Sequence, residues 1–405
     1  MTGYKQREIA VRVLEALGNM PVVVLSGMRQ TGKSTFLQNQ PELLDSKYLS
    51  FDDFAVLEAA RGSPESLIEH DRLVIIDEVQ KYPEILNVVK QVVDRNRRPG
   101  MFILSGSANL LLLKTIAESL AGRAVYLTLH PFTRREILGT IRELPALSYF
   151  TKKGLFPKRE LSPIKWQEIM KGGMPTVCLG EVKKPNIWFK GYEQTYLERD
   201  IRTLSQVADL VSFRHILQLL ALRNGQILKQ SELARDAKLN VMTATRYISL
   251  IEISFVLQKI LPYLRNPSSR LIKSPKTYIS DTGLASYLTG VRNLEANALL
   301  RGSLWESYIV QNLLGILSAY DHDAAVSYWS VQGRYEVDFV IELAGEVIAI
   351  EVKSASRWHR RDLTGLKYFL STSKECHAAI IAYNGTEIFK IEDKIWAVPI
   401  SVLLS

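Results

Sequence analysis

Pro21-Val22-Val23-Val24-Leu25-Ser26, followed without a break by Gly27-Met28-Arg29-Gln30-Thr31-Gly32-Lys33-Ser34-Thr35, is the stretch from which the rest of the chain is read. Its first half is a β-branched apolar run suited to a buried parallel strand. Its second half is GxxxxGK[ST] in full. That spacing lets successive backbone N–H groups from Gly27 to Thr35 wrap a β-phosphate, while a helix beginning near Lys33 aims its positive dipole end at the same anion. Lys33 would reach the β- and γ-phosphates and Ser34 would hold Mg²⁺, so ATP with Mg²⁺ is the expected ligand. The competing reading is a glycine-rich turn that binds nothing, and the flanking strand and helix count against it.

The other half of such a site is a buried strand ending in an acidic residue, which Leu73-Val-Ile-Ile-Asp77-Glu78 supplies. Asp77 would bind Mg²⁺ through water, and Glu78 would polarise the water that attacks the γ-phosphate, making hydrolysis the expected outcome. A third strand, Met101 to Ser105, ends in Gly106-Ser107-Ala108-Asn109. Ser105, Ser107 and Asn109 are therefore γ-phosphate sensor candidates, or else parts of a capped turn. Arg123, after Glu118-Ser-Leu-Ala-Gly122, is either a finger arginine for its own or a neighbouring subunit, which implies a homo-oligomer, or a helix-end dipole partner.

These motifs resemble those of prokaryotic ATPases of the AAA+/STAND-like P-loop class that carry a C-terminal domain of unknown function. The resemblance also covers His130-Pro-Phe132 with Glu136, Gly172-Gly-Met-Pro175 and Tyr196-Leu-Glu-Arg199-Asp200-Ile201, and it extends over nearly the whole chain. It implies a P-loop sheet with a helical lid, to which Gly172–Pro175 and the Arg199-Asp200 pair would belong.

At 405 residues, 47% apolar and 23% charged, the chain suits a soluble multidomain protein and excludes whole-chain disorder or low complexity. No apolar stretch approaches the roughly 18 to 20 residues needed to cross a bilayer, and no secretory signal is visible, so a cytoplasmic protein without a membrane partner is expected. Cys178 and Cys376 lie far apart with no CxxC pattern, which argues against a disulfide scaffold or zinc site. The net charge of +9 points to a polyanionic partner.

Much of that charge sits in the middle. Residues 201–280 hold twelve Lys/Arg against four Asp/Glu. Here Ser212–Leu222 reads as a helix closed by Asn224-Gly225, Gln230–Lys238 as a short helix capped by Ser231, Leu239-Asn240 as a turn and Met242–Ile253 as a second helix. Strands at Leu257–Leu261 and Lys276–Ser280, separated by the basic turn Arg265–Arg270, complete a winged-helix pattern. On DNA, Thr243, Thr245 and Arg246 of the second helix and Arg265, Arg270 and Lys273 of the wing would make the contacts. A rigid packing module that senses nucleotide is the alternative.

Towards the end, Ser303 reads as an N-cap with Glu306 three residues on, and Ala325–Ser330, Tyr335–Glu342 and Val347–Val352 read as strands. Alternation puts Glu351 and Lys353 on one face, and antiparallel pairing across Ala344-Gly345 brings Asp338 beside them. Carboxylates pointing inward from apolar strands are costly unless they bind a metal or each other. Glu306, Asp338 and Glu351 would hold Mg²⁺ or Mn²⁺ while Lys353 orients the attacking water. This set resembles the PD-(D/E)XK nuclease core of Holliday-junction resolvases and restriction enzymes, although Val337 stands where the proline would be. The basic run from His359 to Lys367 either tracks a phosphate backbone or is a solvated helix face.

The expected fold is α/β multidomain: a P-loop AAA+-like parallel sheet over 1–143, a helical lid over 144–206, a winged helix over 207–290 and a restriction-endonuclease-like α/β domain over 291–405. Two functions stay open, an ATPase acting on DNA through the winged helix and a Mg²⁺-dependent nuclease-like domain, and a nucleotide-switched signalling or scaffold ATPase whose C-terminal domain binds a partner without catalysis.

Overall fold

The computed structural model describes residues 3–106, 119–141, 144–151, 162–197, 209–264, 267–291, 293, 296–321, 323–331 and 334–405. Ser107, Asn109, Glu118, Arg199, Asp200 and Arg265 lie outside the described residues.

The amino-terminal sheet is built from β1 (Val22–Ser26), β2 (Lys47–Ser50), β3 (Val74–Asp77), β4 (Phe102–Ser105) and β5 (Ala124–Thr128), all parallel, in the order β2-β3-β4-β1-β5. Its strands are apolar at consecutive positions because both faces are covered. Val22 and Val24 pack with Ile85, Val89 and Val93 of the helix Ile85–Arg95, whereas Val23 and Leu25 pack with Val13, Phe36 and Leu37 of the helices Ala10–Asn19 and Lys33–Asn39. The order matters for function. It inserts β4 between β1 and β3, so the carboxyl ends of those three strands, Ser26, Asp77 and Ser105, form one row.

The second sheet comprises β6 (Gln226–Ile227), β7 (Leu257–Pro262), β8 (Lys276–Ile279), β9 (Ala325–Val331), β10 (Tyr335–Leu343), β11 (Glu346–Lys353), β12 (Cys376–Tyr383), β13 (Phe389–Lys390) and β14 (Ile395–Pro399), ordered β13-β14-β12-β11-β10-β9-β7-β8-β6. It is continuous across the boundary expected at 290, because Leu261 and Pro262 of β7 pair in parallel with Ser327 and Tyr328 of β9. The middle region is thus joined edge-on to the C-terminal strands.

Within the middle region the helices Leu210–Leu222 and Val241–Ile253 pack on β8 and β7, and the helix Gln230–Asp236 packs on those two helices. Three expectations need correction. Ser231 is not an N-cap, since its helix starts at Gln230 after Lys229, whose side chain caps nothing. A short helix, Pro267–Ile272, replaces much of the expected basic turn. Ser303 does not cap the long helix either. That helix runs Ala298–Tyr320 with Asn297 as its cap, accepting from Leu300 N, so Glu306 lies in the helix interior and owes nothing to a capping box.

The β10–β11 hairpin turns at Ala344-Gly345, both with positive φ (52° and 80°), the conformation a two-residue type I′ hairpin requires. Helix Ala298–Tyr320 covers one face of these strands through Leu304 and Tyr308 against Phe339 and Ile350, and helix Thr364–Thr372 covers the other through Leu366 and Phe369 against Val337 and Ala349. Among the described residues no helix is long and apolar enough to cross a membrane.

Candidate functional site

The loop after β1 is shaped for an anion. Gly27 has φ 141°, and a Cβ there would run into the Leu129 carbonyl oxygen, so only glycine fits. Gly32, with φ 91°, hands the chain to the helix that starts at Lys33. Lys33 is 7% exposed, and its ammonium donates to the Gly27 and Met28 carbonyls (3.1 and 2.8 Å), folded over the loop it would leave to meet phosphates. Thr31 Oγ1 donates to Met28 O at 2.9 Å, bracing the same turn.

At the row of strand ends, Asp77 is buried; its Oδ1 accepts from Glu78 N at 3.0 Å and its Oδ2 from the Tyr48 hydroxyl at 2.7 Å. Ser34 and Gln38 stand near enough to the hydroxyl of Tyr48, on β2, to act on it as well. Ser34 and Asp77, the expected Mg²⁺ holders, therefore converge on one hydroxyl, an arrangement that sequence reading missed because nothing local marks Tyr48. Ser105 is 1% exposed and its Oγ has no hydrogen-bond partner among the described residues, a buried donor awaiting an acceptor. Glu78 adopts the left-handed conformation (φ 55°, ψ 42°), rare for a non-glycine residue and often found at working sites. Burial, then Asp77 and Asp52, push its carboxyl above the ordinary range, while Lys33 and Arg29 pull it back. These groups fit ATP with Mg²⁺: Gly27 to Thr35, Asp77 and Ser105 surround one place, and Glu78 stands beside it.

Arg123 does not belong to that place. It precedes β5, whose Ala124 pairs with Val22, so it sits at the opposite end of the strands, roughly 16 Å along β1 from the P-loop. Its guanidinium grips Asp94 with two bonds (2.6 and 2.9 Å) and donates to Ala121 O. A finger acting on its own subunit is ruled out by this topology.

A second group of residues ties the P-loop to the rest of the molecule. Arg7, 3% exposed, donates to Thr31 O in the P-loop (2.7 Å), to His130 O (2.6 Å) and to Glu136 Oε1 (3.0 Å), with its guanidinium 4.2 Å from the Phe132 ring centre. Glu136 also accepts from Glu8 N and Thr133 N. A Cβ on Gly32 would lie 3.7 Å from both Arg7 and Pro175. Pro175 ends the segment Gly172-Gly173-Met174-Pro175, in which Phe132 N donates to Gly173 O and Gly173 N donates to Asp281 Oδ2 (2.6 Å). Asp281 follows β8 and caps the helix Thr282–Leu288, and burial raises its carboxyl to about 6 against several backbone N–H groups that lower it. The long helix joins through Asn312, which accepts from Arg134 N at 2.6 Å, and Gln311, which accepts from Thr282 N at 3.0 Å.

The C-terminal carboxylates meet in one pocket. Asp338 stands one step beyond the Phe339–Ile350 pair, opposite Glu351, as alternation predicts. Its Oδ2 accepts from Val352 N (2.8 Å), and Glu351 Oε1 pairs with Lys353 (2.8 Å). Glu306 accepts from the Tyr278 hydroxyl (3.1 Å). A residue that the sequence reading counted only as surface charge completes the pocket: Lys276 of β8, 4% exposed, contacts Glu336 and lies 3.9 Å from Glu306. Burial, reinforced by Asp338, raises the carboxyls of Glu306 and Glu351 to about 8, and burial raises Asp338 as well. The expected three-carboxylate metal set is corrected here. Among the described residues no group of three His, Cys, Asp or Glu is placed to hold an ion; one oxygen of each acid is engaged, Glu306 Oε2 by Tyr278 and Lys276, Asp338 Oδ2 by Val352 N and Glu351 Oε1 by Lys353, while Glu351 Oε2 is buried with no hydrogen-bond partner among the described residues.

The expected DNA contacts divide. Arg270 is occupied: it holds Glu342 of β10 with two bonds (2.5 and 3.2 Å), donates to Leu264 O and lies over Tyr263. Thr245 Oγ1 bonds Gln230, joining two helices, so it is a packing residue. Thr243 is half-buried, and Arg246 and Lys273 are exposed. Arg223, Arg235, Lys229 and Lys259 are all ion-paired to carboxylates of the same region, which reduces the positive field that its composition suggests.

Residues 19–138 match the family described as AAA domain, residues 165–295 match a Domain of unknown function (DUF8612), and residues 301–403 match another (DUF4143). An uncharacterized protein of Mycobacterium tuberculosis is 29% identical over 416 residues, covering 99% of this chain and 85% of its own length. One of Haemophilus influenzae is 22% identical and covers 92% of each. Among solved structures, a Walker-type ATPase of Pyrococcus abyssi aligns with TM-score 0.45 and 16% identity over 70% of this chain and 96% of its own. The RuvB Holliday junction branch migration motor of Thermotoga maritima aligns with TM-score 0.28 and 16% identity over 67% and 88%.

Proposed function

We propose that this chain, a P-loop ATPase of the AAA type with a C-terminal domain of unknown function, works as a nucleotide-driven switch whose output is the body formed by its middle and C-terminal regions. When bound, ATP would supply the cleavable γ-phosphoryl group and Mg²⁺ would neutralise the charge that develops there. Lys33 would leave the loop carbonyls for the phosphates, Ser34 and Asp77 would hold the ion, Ser105 Oγ would donate to the γ-phosphate, and Glu78 would orient water. The observation that carries the switch is the Arg7 fork, one arm of which holds the P-loop at Thr31 O while the others hold His130 O and Glu136. Movement of the loop on binding nucleotide therefore strains Gly172–Pro175, and through Asp281 it strains the body. Amide exchange on Glu78→Gln, with ATP against ADP, tests this. Exchange in 172–175 and 281–284 is expected to differ between the two nucleotides, and identical exchange there would refute the switch.

DNA is the partner that the exposed residues favour. The order helix, strand, helix, helix, strand, short helix, strand in the middle region supports a winged-helix reading in which the helix Pro267–Ile272 stands in the wing, and Arg246 and Lys273 are exposed on it beside the half-buried Thr243. Arg357, His359, Arg360 and Arg361, exposed after β11, extend the surface to the C-terminal sheet. Anisotropy with duplex, branched and single-stranded DNA at several salt concentrations tests it, because phosphate contacts give a steep salt dependence. Absence of binding together with an ATPase rate indifferent to DNA would leave a protein-directed switch. Arg123 remains a candidate for a neighbouring subunit's site, which requires it to leave Asp94; ATPase rates that do not vary with protein concentration would remove it.

A further inference from the structure

The middle region reaches into the C-terminal pocket. We propose that Lys276 is the resident cation of the Glu306–Glu336–Asp338–Glu351 pocket, and that it excludes a divalent ion from those carboxylates for as long as β8 stays in place. The idea is independent of the switch and of DNA binding.

Lysine is among the residue types least often buried, and a buried ammonium persists only where carboxylates surround it. Lys276 meets that condition: its side chain is 6% exposed, in contact with Glu336 and 3.9 Å from Glu306, with its ammonium 5.6 Å from the Tyr328 ring centre. Two residues on, Tyr278 donates to Glu306 Oε2. The same strand thus delivers a positive charge and a hydrogen-bond donor to the acids. Glu306 is covered from the other side by the turn at Gly225, where a Cβ would lie 3.4 Å from Glu306 Oε2. A cavity of 490 Å³ lined by Lys276, Thr277, Glu336 and the segment Gly225–Leu228 opens onto this place, so Lys276 has somewhere to withdraw to without the strands parting. A divalent ion needs several oxygens free at once. Here the Lys276 ammonium already brings positive charge to these acids, and one oxygen of each is engaged: Glu306 Oε2 by Lys276 and the Tyr278 phenol, Asp338 Oδ2 by Val352 N and Glu351 Oε1 by Lys353.

The test uses the nucleotide-free full-length chain and Mn²⁺ as the probe, with free Mn²⁺ counted by electron paramagnetic resonance. The wild type and Lys276→Arg are expected to show no Mn²⁺ site that Asp338→Asn removes. Lys276→Met is expected to gain one site, tighter by about tenfold or more and lost again in Lys276→Met/Asp338→Asn. Glu336→Gln, which removes a half-exposed partner and keeps the lysine, is expected to gain the site in weaker form and covers the case in which Lys276→Met does not fold. A wild-type Mn²⁺ site sensitive to Asp338→Asn would overturn the proposal. So would folded Lys276→Met and Glu336→Gln chains that gain none. Neither result touches the nucleotide-dependent exchange at 172–175, so the two readings fail separately.

Discussion

Replacing Arg7 by Met keeps an unbranched side chain against Phe132 and removes the charge and all three hydrogen-bond arms. Arg7 and Glu136 are each 3% exposed, with Nε–Oε1 at 3.0 Å, so water screens neither. After the change Glu136 retains the Glu8 and Thr133 amides but loses its cation, next to Glu8, whose own carboxyl burial has pushed up to about 7. Removing one partner of a buried pair costs roughly 3–5 kcal/mol, most of it from the charge left behind. The exposed pair Arg61–Glu58, about half exposed on each side, provides the comparison, where Arg61→Met should cost about 0.5 kcal/mol or less. Urea unfolding followed by tryptophan fluorescence measures both. Arg7→Met/Glu136→Gln should recover part of the loss by discharging the stranded acid. Because one arm holds Thr31 O, ATP affinity should fall as well, and Lys at position 7 should not restore it, since an ammonium lacks the planar fork. A loss no larger than that of Arg61→Met would refute the energetics, and unchanged ATP affinity in a destabilised variant would reduce Arg7 to a structural ion pair.

Glu78→Gln should bind ATP and lose turnover by about 10²- to 10⁴-fold, the usual worth of a general base, measured in single-turnover assays. Tyr48→Phe should raise the Mg²⁺ concentration for half-maximal ATPase while leaving Mg²⁺-free nucleotide binding unchanged, because Asp77 loses the hydroxyl that fixes the orientation of its carboxylate. Gly173→Ala should destabilise by roughly 1–3 kcal/mol, since the new methyl meets the Phe132 backbone (N at 2.9 Å), whereas Gly302→Ala, with open space on a helix, should stabilise by about 0.5–1 kcal/mol; thermal melts separate the two. The acids Glu306 and Glu351, raised in the folded chain from 4.5 to about 8, contribute stability that is full below the unfolded value and lost as pH climbs through the folded one. The melting temperature should accordingly fall between about pH 5 and about pH 9, and Glu306→Gln should flatten that slope.

Much of the nucleotide site was legible because its information is local. Gly27, Gly32, Lys33 and Ser34 act through backbone geometry and a helix start within nine residues, and the buried strand before Asp77 announces itself by composition. The β10–β11 hairpin was legible for the same reason, its alternation and its two-residue turn bringing Asp338 opposite Glu351 without help from elsewhere in the chain. Only the own-subunit reading of Arg123 misled, because a helix end beside a glycine says nothing of which end of the sheet it will face. That depends on β5 running parallel to β1, a pairing between segments a hundred residues apart.

Composition likewise counted the charges of the middle region without showing where they point. Arg270 and Lys276 entered as two of twelve basic groups facing a polyanion, yet β7 pairs with β9, and that one join turns both towards carboxylates of the chain itself, Glu342 and the Glu306–Glu336 pair. His130-Pro-Phe132, Glu136 and Gly172–Pro175 were visible as motifs, but their partners Arg7, Asp281 and Gln311 come from three distant segments. Short-range rules therefore settled the strands, the phosphate loop and the hairpin, since backbone sterics and side-chain alternation act between neighbours. Which charges are spent inside the protein was decided only when the sheets closed, because burying an ion depends on whatever the rest of the chain brings to meet it.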